Sequence, residues 1–220
     1  HDDIFLKKRF NDMKEKHELI FGATLTVGEY IMPNIIDGLL SDESNTVIKM
    51  KVANTKELLN YINEGAIDFA LVEGYFNKLE YDFLHYCQER YVCVASSDFK
   101  LDHVDDISDL FKYNLIIREV GSGSREIIER YLGDRNLNVN DFTNLIEISN
   151  INTIKQLVKN NHGISFMYKI AVEKEMNSGL LKEIDIAGLS IEHDINFVWR
   201  KNSVFIDYYQ QLFKLFFEYR

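Results

Sequence analysis

The segment from Ile67 to Val72, apolar except for Asp68 and bounded by Glu73-Gly74, constrains the fold of this chain more than any other. A strand that is apolar on both faces has to be covered on both, which is the situation of a central strand in a parallel sheet. The preceding segments supply its partners and covers. Leu19 to Ala23 is a short apolar strand, Thr24 to Glu29 a polar turn holding two hydroxyls and Gly28, and Tyr30 to Leu40 a helix. Pro33 falls in its first turn, where a missing amide costs nothing. Val47 to Val52 alternates as a strand, Ala53 to Lys56 turns, and Glu57 to Asn63 forms a helix closed by Gly65. Strand, helix, strand, helix, strand is a doubly wound α/β unit.

The rhythm restarts after an apolar strand at Tyr91 to Ala95. A short helix at Asp105 to Lys112, a strand at Tyr113 to Ile117, a Gly/Ser loop at Glu119 to Ser124 and a helix at Arg125 to Arg135 follow. Next come a strand at Leu145 to Ser149, a helix at Asn152 to Asn160, a strand at Ile164 to Met167 and a helix at Ile170 to Asn177 that Gly179 stops. Leu181 to Ile186 and Ile195 to Trp199 read as two more strands, and Phe205 to Tyr219 as a closing helix. No Pro/Gly-rich linker separates the two repeats. The expected fold class is therefore α/β, with two doubly wound lobes joined by strands that cross over near Ser96 and near Phe197. Residues 19–96 with 197–220 would make the first lobe and 97–196 the second. Residues 1–18 form a separate expectation: Leu6, Phe10, Met13, His17 and Ile20 share one helical stripe, suited to a short coiled-coil seam or to a solvated helix packed on its own domain.

Composition narrows the function. A formal net charge of −10 argues against a nucleic-acid-binding surface, since phosphate neutralisation needs clustered Lys and Arg. Cys87 and Cys93 form no metal or redox motif and read as reduced core thiols, which fits a cytoplasmic chain. No apolar run is long enough to span a bilayer and no leader opens the sequence; a mature periplasmic protein would also lack its leader. The chain opens on His1 rather than on methionine and so reads as a fragment, whose missing N-terminal part could carry a further domain.

In open α/β sheets ligands sit beyond the carboxyl ends of the strands, at helix N-termini. Four turns qualify, around Thr24, Asn54, Ser122 and Asn150. The loop Gly121-Ser122-Gly123-Ser124-Arg125 follows an apolar strand and opens a helix; its glycines admit close backbone approach, its free amides point outward, and the dipole favours negative charge. It has neither the lysine of a nucleotide P-loop nor the spacing of a nucleophile elbow. The competing reading makes Ser124 a helix cap. Thr24 and Thr26 offer two hydroxyls in the first lobe, Asn54 and Thr55 repeat the theme before the next helix, and Ser149 and Asn150 do so in the second lobe; each also suits a cap. Arg118, at a strand end, could oppose a carboxylate or oxyanion, or pair structurally with Glu119 or Glu73. The six histidines show no paired ligand spacing, and no nucleophile, base and orienter come together, so neither metal, cofactor nor catalysis is expected.

Taken in order, these landmarks resemble a known family. Ile20-Phe21-Gly22-Ala23-Thr24-Leu25-Thr26-Val27-Gly28-Glu29-Tyr30-Ile31-Met32-Pro33 resembles the opening of the effector-binding domain of LysR-type transcriptional regulators. Ala53-Asn54-Thr55-Lys56-Glu57-Leu58 and Glu64 to Gly74 continue the likeness. Arg118 to Glu126 looks like the Gly-Ser-Gly-Thr-Arg loop of the branch with carbon-fixation and sulfur-assimilation regulators, and Asn152 to Val158, Gly163 to Phe166 and Ala171 to Glu173 follow. The resemblance implies a fold like that of type 2 periplasmic binding proteins, a small and anionic effector held between the lobes, and a dimer of lobes packed side by side (a tetramer at full length). It also implies a winged helix-turn-helix N-terminal to residue 1, absent from this chain, reached through a linker helix that residues 1–18 would end. By position, Thr24, Thr26 and Ser122 match hydroxyls that contact effector in the family, and Asn54, Thr55, Ser124 and Ser149 match cleft-lining positions; Gly123 and Arg118 complete the expected effector site. Leu25 and Val27 make the opening less polar than in sulfate-sensing relatives, which weighs against sulfate.

A solute-binding protein of a transporter shares this fold and is the alternative; an α/β enzyme of the same shape would need a catalytic set that the sequence lacks. If the regulator reading holds, DNA contact belongs to the absent domain. This chain alone should then retard no promoter fragment in a low-salt gel shift, and a specific retarded band would overturn the charge argument.

Overall fold

The computed structural model describes residues 17–41 and 46–220, with the side chain of His17 left aside. The chain divides into two compact units, one made of residues up to Val72, Phe76–Cys87 and Ile195–Arg220, the other of Glu73–Tyr75 and Gln88–Asp194.

In the first unit, β1 (His17–Ala23) pairs in parallel with β2 (Thr46–Val52) on one side and with β3 (Phe69–Glu73) on the other. Strand order runs β2-β1-β3 and then the unit's parts of β9 (Ile191–Arg200) and β4 (Tyr81–Ser96). The sequence produces this directly: Phe69, Ala70, Leu71 and Val72 are all buried, as a strand covered on both faces requires. The covers are α1 (Leu25–Tyr30), α2 (Met32–Ser41) and α3 (Thr55–Glu64), together with α7 (Ile206–Glu218) from the chain's end. On one face Phe69 stacks on Phe197 at 4.4 Å and on Phe21 at 5.3 Å, and Phe216 of α7 meets Phe69 edge-on at 5.5 Å. On the other, Leu58, Ile62, Ile67, Ala70 and Val72 form a second cluster. Helix α3 is bounded as expected, ending at Gly65 with φ 70°, a left-handed turn that glycine adopts without Cβ strain.

The second unit repeats the plan. β5 (Asn114–Ile117) pairs in parallel with β6 (Asn144–Glu147), and Leu115 bridges in parallel to Ile164, just before β7 (Ser165–Tyr168). The intervening helices are α4 (Gly123–Gly133) and α5 (Ile151–Lys159); α6 (Lys169–Asn177) and β8 (Leu181–Ile184) follow. The second half of β4 runs antiparallel to both β7 and β8. Its core gathers Leu115, Ile117, Ile127, Ile128, Leu132, Ile164 and Phe166. No helix among the described residues is long and apolar enough to cross a membrane.

Several expectations need correction. The helical stripe of residues 1–18 falls mostly outside the described residues, and its end does not extend it: His17 to Ala23 is strand, because Leu19, Phe21 and Ala23 alternate into the core while the backbone pairs with β2. The turn assigned to Thr24–Glu29 is helical from Leu25, closed by Gly28 N donating to Thr24 O at 2.7 Å, and Met32 starts a second helix. The Asp105–Lys112 helix shrinks to a 3-10 turn at Ile107–Leu110, whose cap Asp106 accepts from Ser108 N. β4 begins at Tyr81, not Tyr91. Exposed His85, Gln88 and Arg90 interrupt its apolar pattern and disguise ten residues of strand.

Two glycines separate packing from conformation. A Cβ on Gly163 would lie 2.5 Å from the carbonyl oxygen of Asn114, where β5 and the start of β7 meet, whereas a Cβ on Gly133 would meet nothing within 4 Å. Gly163→Ala should lower unfolding free energy by about 1–3 kcal/mol through backbone displacement, and Gly133→Ala, in the last helical turn, should be neutral or stabilising by up to about 1 kcal/mol. Urea unfolding of both variants checks this; equal effects would contradict it.

Candidate functional site

Parallel pairing gathers the expected site residues at the carboxyl edge of each unit's sheet. In the first unit Thr24 leaves β1 and donates its amide to Leu71 O of β3 at 3.1 Å, while Ala53 N, leaving β2, donates to Ala23 O at 3.3 Å. Thr24, Asn54 and Thr55 thus share one edge. Asn54 is a cap in the full sense: its side chain accepts from Glu57 N at 3.0 Å, and Glu57 Oε2 accepts from Asn54 N at 3.3 Å. Thr24 is different. It sits at the N-cap of α1, yet its side chain makes no cap bond, and its buried Oγ1 has no hydrogen-bond partner. Thr26 and Thr55 are buried within the first turns of α1 and α3.

In the second unit Arg118 leaves β5 and its side chain is 5% exposed. Nε and NH2 donate to Oε2 and Oε1 of Glu119 at 2.8 and 3.0 Å, so the structural pairing anticipated for it is present. NH1 of the same guanidinium is buried with no partner. The chain then turns through Gly121, φ 95°, to Ser122 at the N-cap of α4. Ser122 makes no cap bond either; its hydroxyl lies 3.3 Å from that of Ser124, and both residues are buried. Amides of Gly123, Ser124 and Arg125 stand in the first turn, where no helical carbonyl precedes them. Ser149 does not join this group: β6 ends at Glu147, Ser149 is exposed in a bend, and Asn150 caps α5 by accepting from Thr153 N at 2.9 Å.

Three residues that the sequence reading passed over hold this loop. The Tyr91 hydroxyl donates to Ser124 O at 2.6 Å, with Phe166 O at 3.2 Å. Arg125 donates to Arg118 O at 3.0 Å and to Glu147 and Glu129. Gly74 lies so near Gly123 that a Cβ on it would stand 2.5 Å from Gly123 Cα. A phenol inside an otherwise apolar strand and a glycine at a strand end were the available signals. What the arrangement offers chemically is a set of first-turn amides, one spare guanidinium nitrogen and a mutually bonded pair of hydroxyls, suited to an oxyanion or carboxylate. Among the described residues no group of His, Cys, Asp and Glu is placed to hold a metal ion.

Tyr91 titrates far from its ordinary range. Burial, then the nearby Glu73 and Cys93, push its hydroxyl well above 10.0, with Arg118 pulling the other way. A raised folded pKa gives stability that is whole below the unfolded value near 10 and is lost as pH rises through the folded one. Tyr91→Phe should therefore cost about 1–2 kcal/mol at pH 7 from the lost hydrogen bond, and its deficit against wild type should narrow above pH 10. Chemical denaturation from pH 7 to 11 tests this; a deficit constant across the range would refute it.

The family described as LysR substrate binding domain matches residues 14–217. Among curated relatives, an uncharacterised HTH-type transcriptional regulator of Methanocaldococcus jannaschii is 25% identical over 171 residues, 77% of this chain and 57% of that protein. A probable RuBisCO transcriptional regulator of Cyanophora paradoxa is 24% identical over 205 residues, 91% of this chain and 62% of the relative. The chain thus spans about three fifths of the length of these relatives. Among solved structures, the CcmR regulatory domain of Synechocystis PCC6803 in complex with 2-PG superposes with a TM-score of 0.81 at 17% identity, covering 92% of this chain and 97% of that one, which fixes the fold as that of type 2 periplasmic binding proteins.

Proposed function

Because this chain belongs to the LysR substrate binding domain family, we propose that it is the ligand-sensing, non-catalytic domain of a cytoplasmic LysR-type regulator, and that its effector is a small anion. The carrying observation is the pair of donors left over on buried residues at strand ends, NH1 of Arg118 and Oγ1 of Thr24, where buried polar groups are ordinarily hydrogen-bonded. Within the first unit Thr24 and Thr26, and within the second Arg118 and the Ser122-Gly123-Ser124 turn, are each unit's proposed effector contacts. Asn54 and Thr55 would line the first unit's edge without holding the anion, Asn54 being committed to its cap, and Ser149, exposed in a bend, takes no part. Curated relatives named as transcriptional regulators favour this over a transporter's solute-binding protein, and a RuBisCO regulator among them agrees with the Gly-Ser-Gly-Ser-Arg loop. The related CcmR domain, solved with 2-PG, supports small-molecule sensing. DNA binding would belong to a winged helix-turn-helix preceding this chain, and the working form would be a homodimer.

Losing one charge-assisted hydrogen bond costs about 1.5–3 kcal/mol, so Thr24→Ala and Ser122→Ala should each weaken binding roughly ten- to a hundredfold. Neither makes a cap bond, so both variants should keep wild-type melting temperatures to within a few degrees. The test is a thermal-shift screen of inorganic phosphate, sulfur oxyanions, sugar phosphates and small carboxylates, followed by calorimetric titration of each hit into both variants. A hit whose affinity neither substitution changes would remove these turns from the site.

A further inference from the structure

Arg125 is the most heavily bonded side chain of the second unit's loop, and it does not point its charge outward. Its side chain is 8% exposed, Nε donates to Glu129 Oε1 at 2.7 Å, and NH1 donates to both Glu147 Oε2 at 2.5 Å and Arg118 O at 3.0 Å. Each partner lies on a different element: Glu129 one turn further along α4, Glu147 at the end of β6, and Arg118 at the end of β5. The last bond spans seven residues and closes the loop 118–125 on itself. Two carboxylates and a carbonyl take up the guanidinium, so it is a poor candidate for direct anion contact.

We propose that Arg125 is a positioning residue for the effector: by tying Arg118 O and Glu147 to the first turn of α4, it holds the Ser122–Ser124 amides and hydroxyls and the Arg118 guanidinium in their binding arrangement before any ligand arrives. This rests on the reading that the anion binds at this loop. The physical gain is preorganisation, since a loop already held in its bound form loses little freedom on binding. Lysine cannot replace the fork, because a planar guanidinium reaches several acceptors in fixed directions and an ammonium does not.

Three variants of the full chain test it. Arg125→Lys keeps the charge and loses the fork. Glu147→Ala removes one partner at a side chain 50% exposed, where folding is not at risk. Arg130→Gln, a control, removes an exposed ion pair with Glu126 on the same helix and a cation–π contact over Tyr75, and touches none of Arg125's partners. Hydrogen exchange without ligand should be at least tenfold faster in peptides covering 119–127 for Arg125→Lys, less so for Glu147→Ala, and unchanged for Arg130→Gln. Peptides covering β3 and β7 should not respond in any variant. Titration with inorganic phosphate and the small carboxylates should show affinity falling roughly tenfold in Arg125→Lys and by less in Glu147→Ala, with Arg130→Gln at wild type. Unchanged loop exchange in both Arg125→Lys and Glu147→Ala, exchange accelerated throughout the unit, or faster loop exchange with unaltered affinity would each overturn the positioning role. If the wild type binds none of these anions, the effector-site reading fails, and the exchange result alone decides whether Arg125 holds the loop.

Discussion

Parallel pairing of β1 with β2 and β3 is the constraint from which the rest of the molecule follows. Parallel strands cannot be joined by a hairpin, so each connection must carry a helix, and each helix must begin where a strand ends. The carboxyl ends of β1, β2 and β3 therefore share one edge with the N-termini of α1 and α3, and every residue in those turns is offered to the same small region. The second unit obeys the same rule with β5, β6, α4 and α5. Nothing about a ligand has to be specified for donors to collect there; the sheet direction does it.

Such turns serve two ends with the same residue types, and the structure separates them by where the side-chain oxygen goes. Asn54, Asp106, Asn138 and Asn150 each accept from a first-turn amide, so their acceptors are spent on the helix. Thr24 and Ser122 occupy N-cap positions with extended backbone and decline the bond. A cap hydroxyl that gives up about 1 kcal/mol of helix stabilisation while buried needs some other use. Asparagine and aspartate at the N-cap have thus been kept for structure in this chain, and hydroxyls are left over where the loops are glycine-rich or open a short helix.

The alternation of strands and helices was plain in the sequence because two-sided burial leaves runs such as Ile67–Val72, and the Gly65 stop and the buried thiols could be read with it. β4 was half hidden, since polar side chains interrupt its apolar pattern before Tyr91. The strand-end turns of the candidate site were legible in the sequence and their wiring was not. Thr24 and Ser122 could be named from turn chemistry, but whether each caps a helix depends on a side-chain torsion that composition does not carry. Tyr91, Arg125 and Gly74 act on the loop from remote positions or through tertiary partners such as Glu147 and Gly123, contacts that appear only once the strands are in register.

How a chain of net charge −10 could present the proposed anion site is answered by the same wiring. Both arginines at the loop are matched by carboxylates, Arg118 by Glu119 and Arg125 by Glu129 and Glu147, so the site carries no large excess of positive charge. What it carries is orientation: first-turn amides, two hydroxyls and one spare guanidinium nitrogen held by buried bonds. In a region shielded from water, fixed dipoles act at lower dielectric than solvent and need not reorganise, so they stabilise an anion more than an equal number of mobile surface cations would. A mobile lysine on such a surface would add screened attraction for any anion, whereas fixed donors favour one whose oxygens match their directions. Selectivity for a particular effector is therefore better served by ion-pairing the arginines than by leaving them free, and in the proposed site the carboxylates around this loop would belong to the recognition as much as the donors do.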